Sequence, residues 1–378
     1  MLRVLFRTVE ALLIALISYN LVVAAFGWRN PKPIPVGARR RRLRVVIPAH
    51  DEEAVIGRLL GDLAAQDYDE GNHEVWVLAD RCSDRTADVA LKHGVNVAER
   101  EEGPEGKGPA LAWYLEEHPL EPGEALVVLD ADNRVSTDLL SRLADVLDQG
   151  HQAIQTYLDV SNPDASALAT ASALSYWASN RMVQLARHNL GWPADLGGTG
   201  MCLTIEALDA AGGFGTTAAE DQELGVRLFL AGIPVTWAHD IKVRDEKPAH
   251  SGVVIRQRAR WAGGRRQVAK RHLGDLLSKP SPASVDMAIR LVQPSRMGVA
   301  VGSAALAVAS ALGAPLLSTW FWAVLAAVQF LAPIPFLARE GVPGRYLIRY
   351  PLLVLLPLLK VPARLIRQRG WYHTPHDS

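Results

Sequence analysis

The stretch that decides the fold reads Ala-Leu-Val-Val-Leu-Asp-Ala-Asp-Asn and occupies residues 125–133. Its first five residues are apolar, which is typical of a β-strand buried on both faces of a sheet. Asp130 and Asp132 follow where this strand should end. Carboxylates at i and i+2 can both reach one divalent cation, and oxygen ligands suit Mg²⁺ or Mn²⁺. A cation site and a plain solvated turn are both open at this point.

Short β-rich runs alternate with helical patterns on both sides of this strand. Apolar runs at residues 43–48 and 74–79 predict two more strands, and residues 52–66 carry apolar side chains at helical spacing. Alternation of this kind predicts an α/β domain whose parallel strands are joined by right-handed crossovers. In such sheets ligands bind beyond the carboxyl ends of the strands, so the polar residues there are the candidates for a site.

Candidate site residues lie at the ends of both additional strands. They are Pro48, His50 and Glu52 at the first and Asp80 at the second. Lys107 lies in a glycine-rich loop at residues 103–108, which is either a surface turn or a loop that brings the lysine to a nucleotide. The loop is not a P-loop, because its glycine spacing differs and no Ser or Thr follows the lysine.

Two further candidate groups lie on predicted helices. Glu220 and Asp221 open one helix, where acids either serve chemistry or only stabilise the helix dipole. Gln257, Arg260 and Trp261 lie on a basic stretch that ends near residue 271. A solvated or lipid-facing basic helix is the alternative interpretation of that stretch.

The composition narrows the functional class. The chain has 378 residues, of which 49% are hydrophobic, so it is neither disordered nor a disulfide-stapled miniprotein. Its 40 Lys and Arg residues balance 40 Asp and Glu residues, which argues against nucleic-acid binding through global positive charge. Two cysteines, Cys82 and Cys202, exclude a cysteine-rich zinc module. The motifs of hydride transfer and serine hydrolysis are absent from the sequence.

Apolar runs flank the polar middle of the chain. Residues 11–28 and 297–338 contain no charged residue, and about 20 helical residues cross the hydrocarbon core of a bilayer. The first run predicts one span. The second predicts a hairpin of two spans with its turn near residues 313–319. A shorter run at 350–359 is too short to span unaided, which predicts an interfacial or re-entrant segment over about residues 346–366.

These runs predict three regions and an orientation. The regions are a transmembrane anchor at 1–30, an α/β domain at 31–290 and a membrane region at 291–378. Seven Lys or Arg residues between positions 29 and 44 outnumber Arg3 and Arg7 ahead of the first run. Because the more basic flank stays inside, the middle region is expected in the cytosol. A cleaved signal peptide is the alternative for the first run.

Taken in chain order, the motifs resemble those of family-2 glycosyltransferases. They are Pro-Ala-His-Asp-Glu-Glu at 48–53, Ala-Asp-x-Cys-Ser-Asp-x-Thr at 79–86, Gly-Lys-Gly at 106–108, Asp-Ala-Asp at 130–132, Gly-Thr-Gly at 198–200, Glu-Asp at 220–221 and Gln-x-x-Arg-Trp at 257–261. The resemblance covers about residues 43–261. With its flanking apolar runs the chain is similar to the membrane-embedded branch, which includes cellulose, chitin and hyaluronan synthases and ceramide glucosyltransferase.

The resemblance implies an α/β fold of the GT-A type, with a mixed, mostly parallel sheet that binds a nucleotide sugar and is flanked by transmembrane helices. It implies that Asp130 and Asp132 hold a metal ion, Mg²⁺ or Mn²⁺, and that Asp221 is the catalytic base. The substrate and nucleotide contacts that it implies are Pro48, His50, Glu52, Asp80, Lys107, Asp130, Gly200, Glu220, Gln257, Arg260 and Trp261.

The resemblance also implies an activity and a location. The activity is the inverting, metal-dependent transfer of a sugar from an NDP-sugar, most often UDP-linked, to a lipid, lipid-linked or saccharide acceptor, without a nucleic-acid partner. The location is a multi-pass membrane protein with a cytosolic catalytic domain, in the plasma (inner) membrane. Three alternatives stay open: a processive polysaccharide synthase of the same family, a nucleotidyltransferase, and a catalytically inactive membrane scaffold or assembly subunit. The few membrane segments favour single addition over processive export.

Overall fold

The computed structural model describes residues 2–248 and 250–359. The strands are β1 (Leu43–Ala49), β2 (His73–Asp80), β3 (Asn96–Arg100), β4 (Ala125–Val128), β5 (Arg134–Val135), β6 (Ala153–Val160), β7 (Met201–Thr204) and β8 (Thr236–Asp245). The helices are α1 (Leu2–Phe26), α2 (Ile56–Ala64), α3 (Thr86–Lys92), α4 (Lys107–Glu117), α5 (Leu139–Asp148), α6 (Ala167–Ser179), α7 (Ala186–Asn189), α8 (Ile205–Ala211), α9 (Glu220–Leu230), α10 (Ser251–Ser278), α11 (Pro282–Val292), α12 (Arg296–Ala311), α13 (Thr319–Leu331), α14 (Pro333–Arg339) and α15 (Gly344–Ile348). A π-helical segment, Asn180–Leu185, joins α6 to α7.

The described strands form a single mixed sheet in the order β3-β2-β1-β4-β7-β6-β8-β5. Strands β3, β2, β1 and β4 run parallel, whereas β7 is antiparallel to both β4 and β6. Strand β8 pairs in parallel with β6, and β5 pairs antiparallel with the end of β8, where Arg134 lies opposite Arg244. The expected mixed, mostly parallel sheet is confirmed. Because β5 follows the turn at residues 130–133, this pairing brings the end of β8 next to that turn.

The central strand β4 shows why its sequence is apolar without interruption. Leu126 and Val128 face a core that includes residues of α4, α6 and α9, whereas Ala125 and Val127 face a core that includes residues of α2 and α5. All four side chains are fully buried. A strand covered on both faces has no polar side, so the alternation of polar and apolar residues disappears.

Two described helices are long and apolar enough to cross a membrane, judged by length and composition. They are Phe6–Phe26 within α1 and Thr319–Arg339, which joins α13 and α14. The turn of the expected hairpin lies between α12 and α13. Helix α12, however, has 16 residues, which is short of a full span, so the expected first arm of the hairpin is not reproduced at full length.

The expected interfacial segment is described in part. Tyr350–Leu359 is a short apolar helix that follows α15. Trp177 of α6 packs against Tyr346 of α15, with ring centroids 5.4 Å apart, so this segment lies against the α/β domain. Residues 360–366 of the expected segment lie outside the described residues.

The carboxylate of Asp286 in α11 holds three elements together. It accepts a hydrogen bond from the Tyr19 hydroxyl of α1 and lies 2.9 Å from Nε of Arg187 in α7 and 2.9 Å from Nε of Arg290 in α11. Asp286, Arg187 and Arg290 are all buried. A buried charge is tolerated only when it is paired, so this cluster ties α1 and α11 to the α/β domain.

Replacing Asp286 by alanine should be strongly destabilising, because the buried Arg187 loses its counter-ion and Arg290 keeps, among the described residues, only Asp195. We expect Asp286→Ala to lower the free energy of unfolding by about 3–5 kcal/mol. Asp275→Ala, at an exposed carboxylate near the end of α10, should change it by less than about 0.5 kcal/mol. Chemical denaturation of both variants in detergent micelles measures the difference, and equal losses would contradict the assignment.

Candidate active site

The carboxyl ends of the strands open onto a cleft of about 450 Å³. All but one of the site residues predicted from the sequence line this cleft. Those that line it are Pro48, His50, Glu52, Asp80, Lys107, Asp130, Asp132, Glu220, Asp221, Gln257, Arg260 and Trp261. Strands β1, β2 and β4 end along one half of the cleft, β6 and β8 end along the other, and α4, α9 and α10 supply side chains from above the sheet.

Asp80 ends β2, and two arginines hold its carboxylate. Arg100 at the end of β3 donates from Nη1 to Oδ1 at 2.8 Å, and Arg81 donates from Nη2 to Oδ2 at 2.9 Å. Arg81 has a left-handed backbone (φ 54°), which turns the chain sharply after β2. Nδ1 of His50 lies 2.6 Å from the Asp80 carbonyl oxygen, so the ends of β1 and β2 are joined in this part of the cleft.

The turn at residues 130–133 is fixed from inside by Asn133, which is fully buried. Oδ1 of Asn133 accepts the Asp130 N–H at 3.0 Å and the Thr199 hydroxyl at 2.5 Å. The Asp130 N–H also donates to Oγ1 of Thr199 at 3.0 Å. These bonds leave the carboxylates of Asp130 and Asp132 facing the cleft. Two carboxylates on one tight turn are a donor set that fits a hard divalent cation.

Lys107 begins α4 and reaches into the cleft from the glycine-rich loop. Its Nζ forms an ion pair with Oδ1 of Asp130 and donates to the Gly198 carbonyl oxygen at 2.7 Å. A Cβ atom at Gly108 would lie 2.2 Å from the carbonyl oxygen of Gly215, so glycine permits the start of α4 to approach that loop closely. The alternative interpretation as a surface turn is therefore wrong for Lys107.

Asp221 lies in the first turn of α9, next to Glu220. Burial and the neighbouring negative charge of Glu220 raise the pKa of Asp221 to about 7. The N–H of Gln222, which donates to Oδ1 at 2.7 Å, and the charges of Lys107 and Arg260 act in the opposite direction without offsetting the burial. A carboxyl group with a pKa near 7 can take up a proton efficiently at neutral pH.

Gln257, Arg260 and Trp261 share one face of α10, because residues at i, i+3 and i+4 are neighbours on a helix. All three line the cleft. Trp261 is 38% exposed, so its ring is accessible from the cleft. The basic stretch is thus a helix whose first half contributes to the site.

The cleft contains a group that sequence reasoning missed, formed just after β8. Lys247 is buried and pairs with Asp245, and its Nζ lies 3.7 Å from the centroid of the Tyr176 ring in α6. Asn162 binds the backbone of Lys247 through two hydrogen bonds of 2.8 and 3.0 Å. The sequence feature that could have pointed to Lys247 is the charged run Asp-Glu-Lys-Pro at 245–248, which lies between a strand and a basic helix.

Gly200 is the predicted site residue that does not line the cleft. It has a left-handed backbone (φ 63°), and a Cβ atom there would lie 2.2 Å from Oγ1 of Thr156. Its N–H donates to the Val128 carbonyl oxygen at 2.8 Å, and its own carbonyl accepts the Thr156 N–H at 2.9 Å. Gly200 therefore joins β4 to β6 beneath the site, whereas Gly198 and Thr199 line the cleft itself.

The family model described as "Glycosyltransferase like family 2" matches residues 40–264. The chain is 28% identical over 236 residues to the beta-monoglucosyldiacylglycerol synthase of Trichormus variabilis, a match that covers 58% of this chain and 48% of that protein. It is 27% identical over 258 residues to the probable glycosyltransferase YdaM of Bacillus subtilis, covering 65% and 59% respectively. The chain thus spans about half the length of the curated relatives it matches.

A solved structure with the same fold is the mannosyltransferase PcManGT from Pyrobaculum calidifontis, determined in complex with GDP-Man and Mn²⁺. The two structures superpose with a TM-score of 0.63 at 19% sequence identity, covering 94% of this chain and 99% of that one. The expected GT-A fold is confirmed.

The close packing around Gly200 gives a test of its structural role. Gly200→Ala adds a steric clash with Thr156 to the strain of a left-handed alanine, which alone costs about 1–2 kcal/mol. Gly191→Ala is the matched control, because Gly191 also has a left-handed backbone (φ 71°) but no atom within 4 Å of an added Cβ. We expect Gly200→Ala to lower the free energy of unfolding by clearly more than Gly191→Ala. Equal losses would show that the contact with Thr156 relaxes without cost.

Proposed function

Because this chain belongs to glycosyltransferase-like family 2, we propose that it transfers a sugar from a nucleoside-diphosphate donor to an acceptor hydroxyl group. The simplest donor is a UDP-sugar. The proposed acceptor is a lipid or a lipid-linked molecule, and a saccharide is the alternative. The observation that carries the proposal is the arrangement of three kinds of acid in one cleft: Asp80 at the end of β2, the pair Asp130 and Asp132 after β4, and Asp221 with its raised pKa. Each supports a different part of the reaction.

The donor would lie along the ends of β1, β2 and β4. Asp80, fixed by Arg100 and Arg81, offers carboxylate oxygens to hydroxyl or N–H groups of the nucleoside. The diphosphate would then lie near the turn at residues 130–133, where Lys107 already provides a cationic group. In this arrangement Lys107 would bind a phosphate oxygen in exchange for Asp130.

Asp130 and Asp132 are the residues that would hold the cation, Mg²⁺ or Mn²⁺. When bound there, such an ion would neutralise the diphosphate and act as a Lewis acid toward the leaving group. Asn133 and Thr199 fix the backbone that presents both carboxylates, which reduces the entropy lost on binding.

Asp221 would act as the general base in an inverting reaction. Its carboxylate would take the proton of the acceptor hydroxyl while that oxygen attacks the anomeric carbon on the face opposite the diphosphate. Arg260 would contact a phosphate oxygen, and Trp261 would pack against a sugar ring or a glycerol backbone. In this proposal the base and the leaving group would lie on opposite sides of the reacting carbon.

The acceptor and the location extend the same proposal. Relatives named for monoglucosyldiacylglycerol synthesis and two candidate spans support a lipid acceptor that the enzyme meets at the membrane. We place the cleft in the cytosol, at the plasma (inner) membrane, with α1 and the region after residue 290 as membrane segments, because the basic cluster at residues 29–44 would stay on the cytosolic side. Single addition is preferred over processive synthesis.

Removing the proposed base should stop transfer while leaving the donor bound. We expect Asp221→Asn to lower kcat by about 10²–10⁴-fold, the usual contribution of general acid–base catalysis. Asp132→Ala and a chelator should each abolish activity through the cation. The assay is nucleoside-diphosphate release from a panel of NDP-sugars, with lipid extract as acceptor and Mn²⁺ or Mg²⁺ supplied.

Asp209→Asn is the matched control for these variants, since Asp209 is an exposed aspartate on α8 outside the cleft. It should retain full activity. Asp221→Asn that is as active as wild type would exclude the base assignment. No release from any donor by the wild-type protein would instead favour the inactive scaffold.

The pKa of Asp221 predicts how the rate depends on pH. Only the deprotonated carboxylate can take the acceptor proton, so below about pH 7 kcat/KM should fall about tenfold per pH unit, and above that pH it should level off. Glu220→Gln removes a negative charge that raises this pKa, so the midpoint should move to lower pH. A midpoint that Glu220→Gln leaves unchanged, measured with the same donor and cation, would contradict the assignment.

A further inference from the structure

The chain is neutral overall, yet the stretch in and just ahead of α10 carries only positive charge. Residues 247–274 contain eight Lys or Arg residues and no Asp or Glu, whereas the whole chain has 40 of each kind. The first half of α10 uses part of this charge in the cleft. The second half carries Arg265, Arg266 and Lys270, which we call the basic face.

The basic face points away from the protein. Helix α10 buries Gly264, Val268 and Leu276, and the last two belong to a core with α9 and α11. Arg265, Arg266 and Lys270 are exposed. None of the three forms an ion pair with another described residue, whereas the neighbouring Arg271 binds Glu223 at 2.9 Å. Strong positive charge is therefore presented to the surroundings without an internal counter-ion.

Helix α11 connects α10 to the candidate anchor α1. One side of α11 packs against α10. Its other side contacts α1, where the Tyr19 hydroxyl donates a hydrogen bond to Asp286. The Asn20 side chain donates a second one, of 3.1 Å, to Gln293. Val285 and Val292 of α11 are 45% and 60% exposed, and they lie two helical turns apart on one face. An exposed apolar face next to a candidate membrane span suits the boundary between headgroups and acyl chains.

We propose that the basic face of α10 binds the anionic headgroups of a lipid bilayer, while the exposed valines of α11 enter its interface. This inference rests on the membrane anchoring that is part of the proposed function. Long Lys and Arg side chains extend to headgroups from a helix that lies along a membrane surface. Each cation near such a surface strengthens the attraction to anionic lipid roughly fivefold.

The same helix connects the lipid surface to the reacting groups. A Cβ atom at Gly264 would lie 2.7 Å from the backbone nitrogen of Ala219. Helix α10 therefore packs closely against Ala219, which directly precedes Glu220 and Asp221. Oε1 of Gln267 accepts the Ala218 N–H at 3.4 Å in the same contact. Fixing the basic face on a membrane would therefore also fix the start of α9, and anionic lipid should activate the enzyme.

The test uses the full chain in nanodiscs of phosphatidylcholine alone or with one third phosphatidylglycerol. Hydrogen exchange of peptides from residues 261–272 reports binding, and nucleoside-diphosphate release reports activity. We expect phosphatidylglycerol to slow the exchange and to raise kcat/KM, each by at least the roughly fivefold effect of a single cation. Added salt should weaken both effects, because it screens exposed charges.

Three variants make the result specific. The triple variant R265Q/R266Q/K270Q should lose both responses, and the charge-preserving R265K/R266K/K270R should keep them. Lys92→Gln, at an exposed lysine on α3, should behave as wild type. Equal exchange in both kinds of nanodisc would overturn the proposal. So would protection that appears only when an acidic polypeptide is added, because the basic face would then bind a protein partner instead of lipid. A lipid-dependent change in exchange without transfer in any disc would support the lipid-binding face and refute the proposed activity.

Discussion

The side chain of Asn133 is the contact on which the geometry of the cleft depends. It is fully buried, and its Oδ1 accepts one hydrogen bond from the backbone of Asp130 and one from the hydroxyl of Thr199. The first bond shapes the turn after β4, and the second ties that turn to the loop that leads into β7. An unpaired buried amide or hydroxyl costs about 1–3 kcal/mol, so the three groups are stable only together. The position of the two cleft carboxylates follows from this small network.

Several acids of the cleft are held in ion pairs with a cationic side chain, and among the described residues Asp221 is not. Asp80 is paired with Arg100, Asp130 with Lys107 and Asp245 with Lys247. Asp221 has no such close partner among the described residues, and its nearest acid raises its pKa. A carboxyl group whose pKa is raised toward neutral pH is suited to a different task from a carboxylate held in an ion pair. The paired acids each hold a cationic side chain, whereas the raised pKa of Asp221 suits it to exchange a proton.

The sequence predicted most of this arrangement because its signals are local. An apolar run followed by acids marks a strand end, and the strand ends of a parallel sheet meet at one edge, so Asp80 and Asp130 could be placed together from the sequence. The position of Lys107 stayed open between a surface turn and the site. Lys247 could not be placed, because it joins the cleft only after β8 returns beside β6 and pairs with β5. Gly200 is the opposite case, a residue that the sequence placed in the site and that lies outside it. Its motif neighbours Gly198 and Thr199 line the cleft. Gly200 itself bonds Thr156 and Val128, which lie on strands distant in sequence.

The length of α10 explains how a single helix connects the cleft to the elements that pack around α1. A helix of 28 residues extends about 42 Å. Its first turns line the cleft, Gly264 in its middle lies against the start of α9, and its last turns pack on α11, which contacts α1. A continuous helix transmits displacement along its axis far better than a loop does. The separation between the cleft and α1 is therefore set largely by the backbone hydrogen bonds of one helix.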